Sequence, residues 1–253
     1  MVAAYDSLSK VHGMPQKSLS DLKIKLFADG ADKDALLELY HHPYIQGFTT
    51  NPTLMRKAGV TDYEWFARDL VESIPDRPLS FEVFADDFPE MERQARKIAS
   101  WGENVYVKIP ITNTAGESSV KLICRLVHSG VRVNATALLA LDQVCEVSRV
   151  MVDGPPCYIS VFAGRIADTG IDPVPVMAAA AELVRPYPNI ELIWASPREL
   201  LNIFQADAVG CHIITVTNDI LKKLDLIGKD LHEYSRETVQ MFYDDAQRSA
   251  YVL

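Results

Sequence analysis

The sequence lacks most of the motifs by which proteins hold metals, nucleotides or nucleic acids. Its four cysteines, Cys124, Cys145, Cys157 and Cys211, are widely spaced in apolar segments and form no CxxC pair. They read as buried free thiols rather than as disulfides or metal ligands. The six histidines include the neighbours His41 and His42, yet no HxH or HExxH spacing occurs, so no metal centre is expected. Neither GxGxxG nor GxxxxGK[ST] is present, and no cofactor is expected. Positive charge is also scarce. Lys and Arg number 25 against 34 Asp and Glu, a net charge of −9 that argues against nucleic acid or an anionic membrane as partner. An anionic substrate would need a local cluster of arginines.

Long apolar runs are missing too. No stretch approaches the roughly 20 residues of a membrane span, and MVAAYDSLSKVHGMPQKS at the N-terminus has no leader-like apolar centre, so the expected location is cytoplasmic. No Pro/Gly/Ser-rich linker divides the chain, so its 253 residues are expected to form one domain, with a barrel core at about 23–225.

What is present is alternation. Short β-forming runs, IKLFA (24–28), QGFTT (46–50), LSFEVF (79–84), NVYVKI (104–109), VRVNAT (131–136), CYISVF (157–162), IELIWA (190–195) and CHIITV (211–216), are separated by amphipathic stretches such as DKDALLELYHH and PEMERQARKIASWG. Gly102, Gly130 and Gly210 fall where helices are expected to stop. Eight such units match a single α/β (β/α)8 TIM barrel, with an open doubly-wound sheet as the rival. The first 22 residues are expected to form a helix or a cover on the barrel bottom. The last segment, DLHEYSRETVQMFYDDAQRSAYVL, reads as an extra helix whose Tyr234, Phe242, Tyr243 and Tyr251 pack on the barrel or on another subunit.

In such a barrel the site lies at the C-terminal strand ends. Those ends carry Asp29, Thr49 with Asn51, Ser80 with Glu82, Lys108, Asn134 with Thr136, Ser160 with Arg165, and Ser196 with Arg198. Each has an ordinary alternative. Asp29 fits a turn or the cap of the next helix, and Asn51 fits a cap before Pro52. Arg165 and Arg198 fit surface salt bridges, while Glu82 and Lys108 fit a buried ion pair. Seven strand ends agreeing is harder to attribute to chance.

Lys108 is the sharpest of these. It interrupts the β-forming run NVYVKIP, and lysine is almost never fully buried without a partner or a task. Either it snorkels, or the apolar strand prepares it to react as a neutral amine. Such an amine attacks a carbonyl to give a Schiff base, which permits cleavage of the adjacent C–C bond. Asp29 and Glu82 are the carboxylates available for proton transfer.

FADGA around Asp29, GFTTNPTL (47–54), VKIP (107–110), VNATAL (133–138), ISVFAGRIAD (159–168), ASPRE (195–199) and GCHIITV (210–216) resemble, in order, the motifs of the transaldolase family. The resemblance implies a (β/α)8 barrel and phosphorylated sugar substrates, and with the aromatic C-terminal helix it implies a homo-oligomer. It makes Lys108 the Schiff-base nucleophile and Asp29 the acid/base at the hydroxyl beyond the cleaved bond. Glu82 and Thr136 match the pair that holds a catalytic water. Asn51, Ser80, Asn134 and Ser160 match contacts to the three-carbon unit, with Thr49 beside them. Arg165, Ser196 and Arg198 match the phosphate-binding set.

Two sub-families compete. Transaldolases transfer a dihydroxyacetone unit from fructose 6-phosphate or sedoheptulose 7-phosphate to an aldose phosphate, while fructose 6-phosphate aldolases release it. The aldolases resemble this chain but carry glutamine at Glu82 and tyrosine at Phe162, so both residues here side with transfer. Departures from the family pattern fall at Val161, Ala137, Pro197 and the Thr217–Asn218 turn. They leave open a specialised transferase with an unusual acceptor or a sulfonated sugar.

Overall fold

Runs that are apolar on both faces can be buried only between a core and a layer of helices, which is the environment of a parallel strand. In the computed structural model, which describes residues 18–249, all eight runs adopt that state. They are β1 (Lys25–Asp29), β2 (Ile45–Thr49), β3 (Leu79–Glu82), β4 (Val105–Pro110), β5 (Val133–Leu138), β6 (Cys157–Val161), β7 (Ile190–Trp194) and β8 (Ile213–Thr217). Each pairs in parallel with its sequence neighbours, and β8 closes on β1, so the sheet is a closed barrel and not an open doubly-wound one.

Helices fill the crossovers: α1 (Lys33–Tyr40), α2 (Pro52–Lys57), α3 (Tyr63–Ser73), α4 (Phe88–Ala99), α5 (Val120–His128), α6 (Leu141–Met151), α7 (Ala163–Asp168), α8 (Pro173–Val184) and α9 (Leu201–Ala208), and a short α10 (Asn218–Leu221) follows β8. Several start on a side-chain cap. Asp32, Asn51, Asp62, Asp87 and Asp172 accept hydrogen bonds from the backbone N–H groups of Ala35, Leu54, Trp65, Glu90 and Val174. Each such cap contributes about 1 kcal/mol and sharpens the strand-to-helix turn. The cap of α1 is therefore Asp32 and not Asp29, whose side chain is left for the barrel interior.

Lys23–Lys222 form one compact unit that contains the barrel; the described residues on either side belong to a second. The latter hold short 3-10 turns at Leu19–Asp21 and Leu224–Leu226 and a long helix, α11 (Leu231–Ser249). Most of the N-terminal segment expected to be a helix or cover, and Tyr251, lie outside the described residues. No described helix is long and apolar enough to cross a membrane.

The glycines expected to stop helices divide in two. Gly130 and Gly210 have φ of 86° and 76°, the left-handed conformation of a helix terminus. Gly102 does not. It is there for space, since a Cβ would lie 2.7 Å from Val71 Cγ1. Of the cysteines, Cys157 and Cys211 are buried as expected, while Cys124 and Cys145 are half-buried, and all are free thiols.

Inside the barrel, side chains two residues apart on a strand point the same way, which stacks the interior in levels. One level is apolar: Phe27, Tyr106, Tyr158, Ile193 and Ile213 belong to one packed cluster. The Tyr106 and Tyr158 rings stack with centroids 4.0 Å apart, and Phe27 meets Tyr158 edge-on at 5.8 Å. Gly47 on β2 belongs to this level because a Cβ would lie 2.5 Å from the Phe27 ring. Two residues further along the same strands come Asp29, Thr49, Lys108, Ser160 and Thr215, and these line an open cavity.

Candidate active site

The cavity has a volume of about 500 Å3 and opens at the C-terminal strand ends. Of the residues singled out in the sequence, Asp29, Thr49, Asn51, Glu82, Lys108, Asn134, Thr136, Ser160, Phe162, Arg165, Ser196 and Arg198 all line it. Ser80 lies just behind, buried and hydrogen-bonded to Asn134.

Lys108 sits between β3 and β5 in register with Glu82 on one side and Asn134 on the other. Its side chain is 11% exposed, and Nζ donates to the backbone carbonyl of Thr50. Glu82 Oε2 is 3.7 Å from Nζ and accepts a 3.2 Å bond from Thr50 Oγ1. The expected buried pair thus forms loosely, with a neutral carbonyl as the closer partner of the amine. Lys108 does not snorkel out of the barrel; it ends in the cavity. Burial raises the pKa of Glu82 above the usual carboxylate value, although the nearby ammonium opposes this. The other Glu82 oxygen, Oε1, is buried without a hydrogen-bond partner among the described residues, and so is Thr136 Oγ1. Buried polar atoms left unpaired cost about 1–3 kcal/mol each, so two at one cavity mark a place built to receive something polar.

Asp29 is held on the β1–β2 side of the cavity. Oδ1 accepts from Thr49 Oγ1 at 2.7 Å and Oδ2 from Asn51 Nδ2 at 3.2 Å. Burial raises its pKa, with Lys108 and these two hydrogen bonds pulling the other way. Asn51 caps α2 as its position suggested, its carbonyl accepting from Leu54 N–H, and its amide also steadies Asp29, a contact the sequence did not suggest. Thr49 is fixed in turn by Thr215 Oγ1 at 2.5 Å.

A third group is a relay of neutral side chains. Ser160 Oγ donates to Asn134 Oδ1 at 2.7 Å, and Asn134 Nδ2 donates to Ser80 Oγ at 3.2 Å. All three are buried, so the relay fixes the Asn134 amide and with it the polar wall beside Lys108.

The rim holds the cations. Arg165 is on α7, and Arg198 follows β7. The segment between β7 and α9 is held from two sides. Asn202 Oδ1 accepts from the N–H groups of Arg198 at 2.7 Å and Glu199 at 3.1 Å. Ser196 has φ of 59°, and its carbonyl lies so close to Gly164 that any Cβ there would overlap it. A non-glycine residue in that conformation is strained, and such strain gathers at functional sites. Arg198 meets the surface alternative as well, since its guanidinium pairs with Asp168, Nε to Oδ1 at 3.0 Å and Nη2 to Oδ2.

Some participants were not singled out from the sequence. Thr50, Thr215, Asn202 and Asp168 each fasten a residue that was. Thr215 was legible, because period two from Ile213 puts it inward. Thr50 was not, because the carbonyl that matters belongs to the backbone and meets Lys108 only after β2 to β4 have paired.

The arrangement puts an amine, two carboxyls, a neutral polar wall and two guanidinium groups around one cavity, which suits nucleophilic and acid–base work on a polar anionic molecule. Comparison with known proteins agrees with that chemistry. Residues 26–252 match the family model for "Transaldolase/Fructose-6-phosphate aldolase". A "Probable transaldolase" of Dehalococcoides mccartyi is 31% identical over 202 residues, which are 79% of this chain and 90% of that protein. One from Chelativorans sp. is 33% identical over 202 residues, 79% of this chain and 88% of that protein. With its fold, its cavity and nearly its whole length in agreement, the chain belongs to the transaldolase/fructose-6-phosphate aldolase family.

Proposed function

We propose that this enzyme is a transaldolase that carries a dihydroxyacetone unit as a Schiff base on Lys108, taking it from a ketose phosphate such as fructose 6-phosphate or sedoheptulose 7-phosphate and giving it to an aldose phosphate. The observation that carries the reading is a lysine amine in a cavity, bound to a carbonyl, with two raised carboxyls facing it. The Lys108 nitrogen attacks the C2 carbonyl of the donor to form a carbinolamine. Glu82, with a water held between its Oε1 and Thr136 Oγ1, protonates the departing hydroxyl, and water leaves as the imine forms. Asp29 takes the proton from the C4 hydroxyl, the C3–C4 bond breaks, and its electron pair flows into the iminium to leave an enamine. The shortened aldose phosphate departs. An acceptor aldehyde then takes up the enamine carbon, and hydrolysis by the reverse of the first steps frees Lys108.

Carboxyls with raised pKa values suit this role, because a group that titrates nearer neutrality both gives and takes a proton at low cost. Asn51, Ser80, Asn134 and Ser160 hold the hydroxyls of the three-carbon unit, with Thr49 keeping Asp29 aimed. Arg165, Ser196 and Arg198 receive the phosphate. Phe162 is half-buried against the aromatic cluster and has no acidic proton, so the enamine waits for an aldehyde instead of being protonated and released. Incubation with fructose 6-phosphate, with and without an aldose phosphate acceptor, tests this. The expected result is ketose exchange that depends on acceptor; rapid release of free dihydroxyacetone without acceptor would make the protein a lyase.

A further inference from the structure

The two rim arginines do not face their ligand alone. Gly164, Arg165 and Asp168 lie on α7, with Gly164 and Asp168 one turn apart on the same face. Arg198 comes from the β7 side and runs across that face. A Cβ on Gly164 would lie 3.2 Å from Arg198 Nε, and the guanidinium ends on the Asp168 carboxylate. Asp168 thus occupies the Nε–Nη2 edge of Arg198, one of the two edges by which a guanidinium grips a tetrahedral anion in bidentate fashion. Arg165 also acts on Asp168 electrostatically, so the three charges form one cluster. Two cations and one carboxylate leave a single net positive charge for an incoming terminus.

We infer that Asp168 is an internal competitor for the anion site: its carboxylate stands where one edge of the substrate's phosphate would bind Arg198, and the substrate gains that edge by displacing it. The inference rests on the reading of the rim as the substrate's anion site. The pair is easy to displace. Its side chains are 46% and 53% exposed, and exposed ion pairs are weak. Asn202 holds the Arg198 backbone, and Gly164 leaves room for the Ser196 carbonyl and Arg198 Nε, so the exchange needs only a shift of the Asp168 side chain. The consequence is restraint. Phosphate binding is equally strong in the ground and transition states, so affinity beyond need raises no rate and delays release of the aldose phosphate. A carboxylate beside the site keeps that affinity moderate, most of all against a doubly charged terminus.

The test is calorimetric titration of inorganic phosphate into the wild-type protein, Asp168→Asn, Asp168→Glu and Arg198→Ala at one pH and one ionic strength. Asp168→Asn is expected to bind phosphate about threefold to tenfold more tightly, a gain that shrinks at high salt. Asp168→Glu stays near the wild type, and Arg198→Ala binds more weakly. With sugar substrates, KM for the ketose phosphate falls in Asp168→Asn by a similar factor while kcat does not rise. Phosphate binding that is unchanged or weaker in Asp168→Asn, or undetectable in both proteins, overturns the inference; weaker binding would make Asp168 a positioning residue for Arg198. Phosphate titration needs no turnover. Tighter phosphate without sugar transfer would refute the transaldolase reading alone, and transfer with unaltered phosphate binding would refute the competitor alone.

Discussion

Two adjacent levels of the same barrel interior, one residue pair apart on each strand, have opposite chemistry. The floor, with Phe27, Tyr106, Tyr158, Ile193 and Ile213, is apolar and close-packed. The mouth, with Asp29, Lys108, Glu82 and Thr136, is polar and carries buried oxygens that have no partner among the described residues. The strands supply both through simple alternation, so Phe27 and Asp29, or Tyr106 and Lys108, are neighbours on one face. The difference teaches that stability and reactivity are divided by height: burial on the floor stabilises the barrel, and burial two residues higher raises carboxyl pKa values and strips an amine of water.

Substitutions at paired positions separate the levels. The largest effect on rate is expected from Lys108→Met, which conserves length and removes the amine. Ketose exchange should fall by at least about 10⁴-fold while the thermal transition stays cooperative, whatever stability is lost by leaving Glu82 without its partner. A lower Tm with partial activity would mean that Lys108 is structural. On the floor, Phe27→Ala should do the reverse. The ring is 1% exposed, and its loss should cost about 3–5 kcal/mol in denaturant unfolding. The turnover of the protein that remains folded should change far less.

The acid limb of the pH–rate profile gives a finer contrast. Burial raises the pKa values of Asp29 and Glu82. In the proposed mechanism the basic form of Asp29 takes the hydroxyl proton, so kcat should decline with falling pH at values above the ordinary carboxylate range. Asp29→Asn should lower kcat by about 10²- to 10⁴-fold and remove its share of that limb. The linkage has a definite sign. A carboxyl whose folded pKa exceeds its unfolded value binds protons more readily when folded, so the mouth's contribution to stability falls as pH rises between the two values. Asp29→Asn should therefore leave the protein as stable as, or more stable than, the wild type at neutral pH. A destabilised Asp29→Asn protein would show that the carboxylate serves packing instead.

The barrel was legible because every strand is short, apolar and β-forming, and every one was located to within about two residues. Lys108 and Glu82 stood out by the same rule, as charges inside such runs. What pattern could not reach were contacts between distant segments. The Thr50 carbonyl meets Lys108 across 58 positions, and Asp168 meets Arg198 across 30. Asp29 and Asn51 were each open to two readings in the sequence. Only the folded turn shows that Asp32 caps α1 while Asn51 caps α2 and also holds Asp29.

The central claim is a covalent bond between Lys108 and the donor. Borohydride reduction in the presence of fructose 6-phosphate, followed by peptide mass mapping, tests it most directly. The account predicts one stable adduct with the mass of a reduced dihydroxyacetone or hexose phosphate imine, confined to the peptide that contains Lys108 and absent from Lys108→Met. An adduct elsewhere, an adduct that survives in Lys108→Met, or turnover without any trappable imine would contradict it.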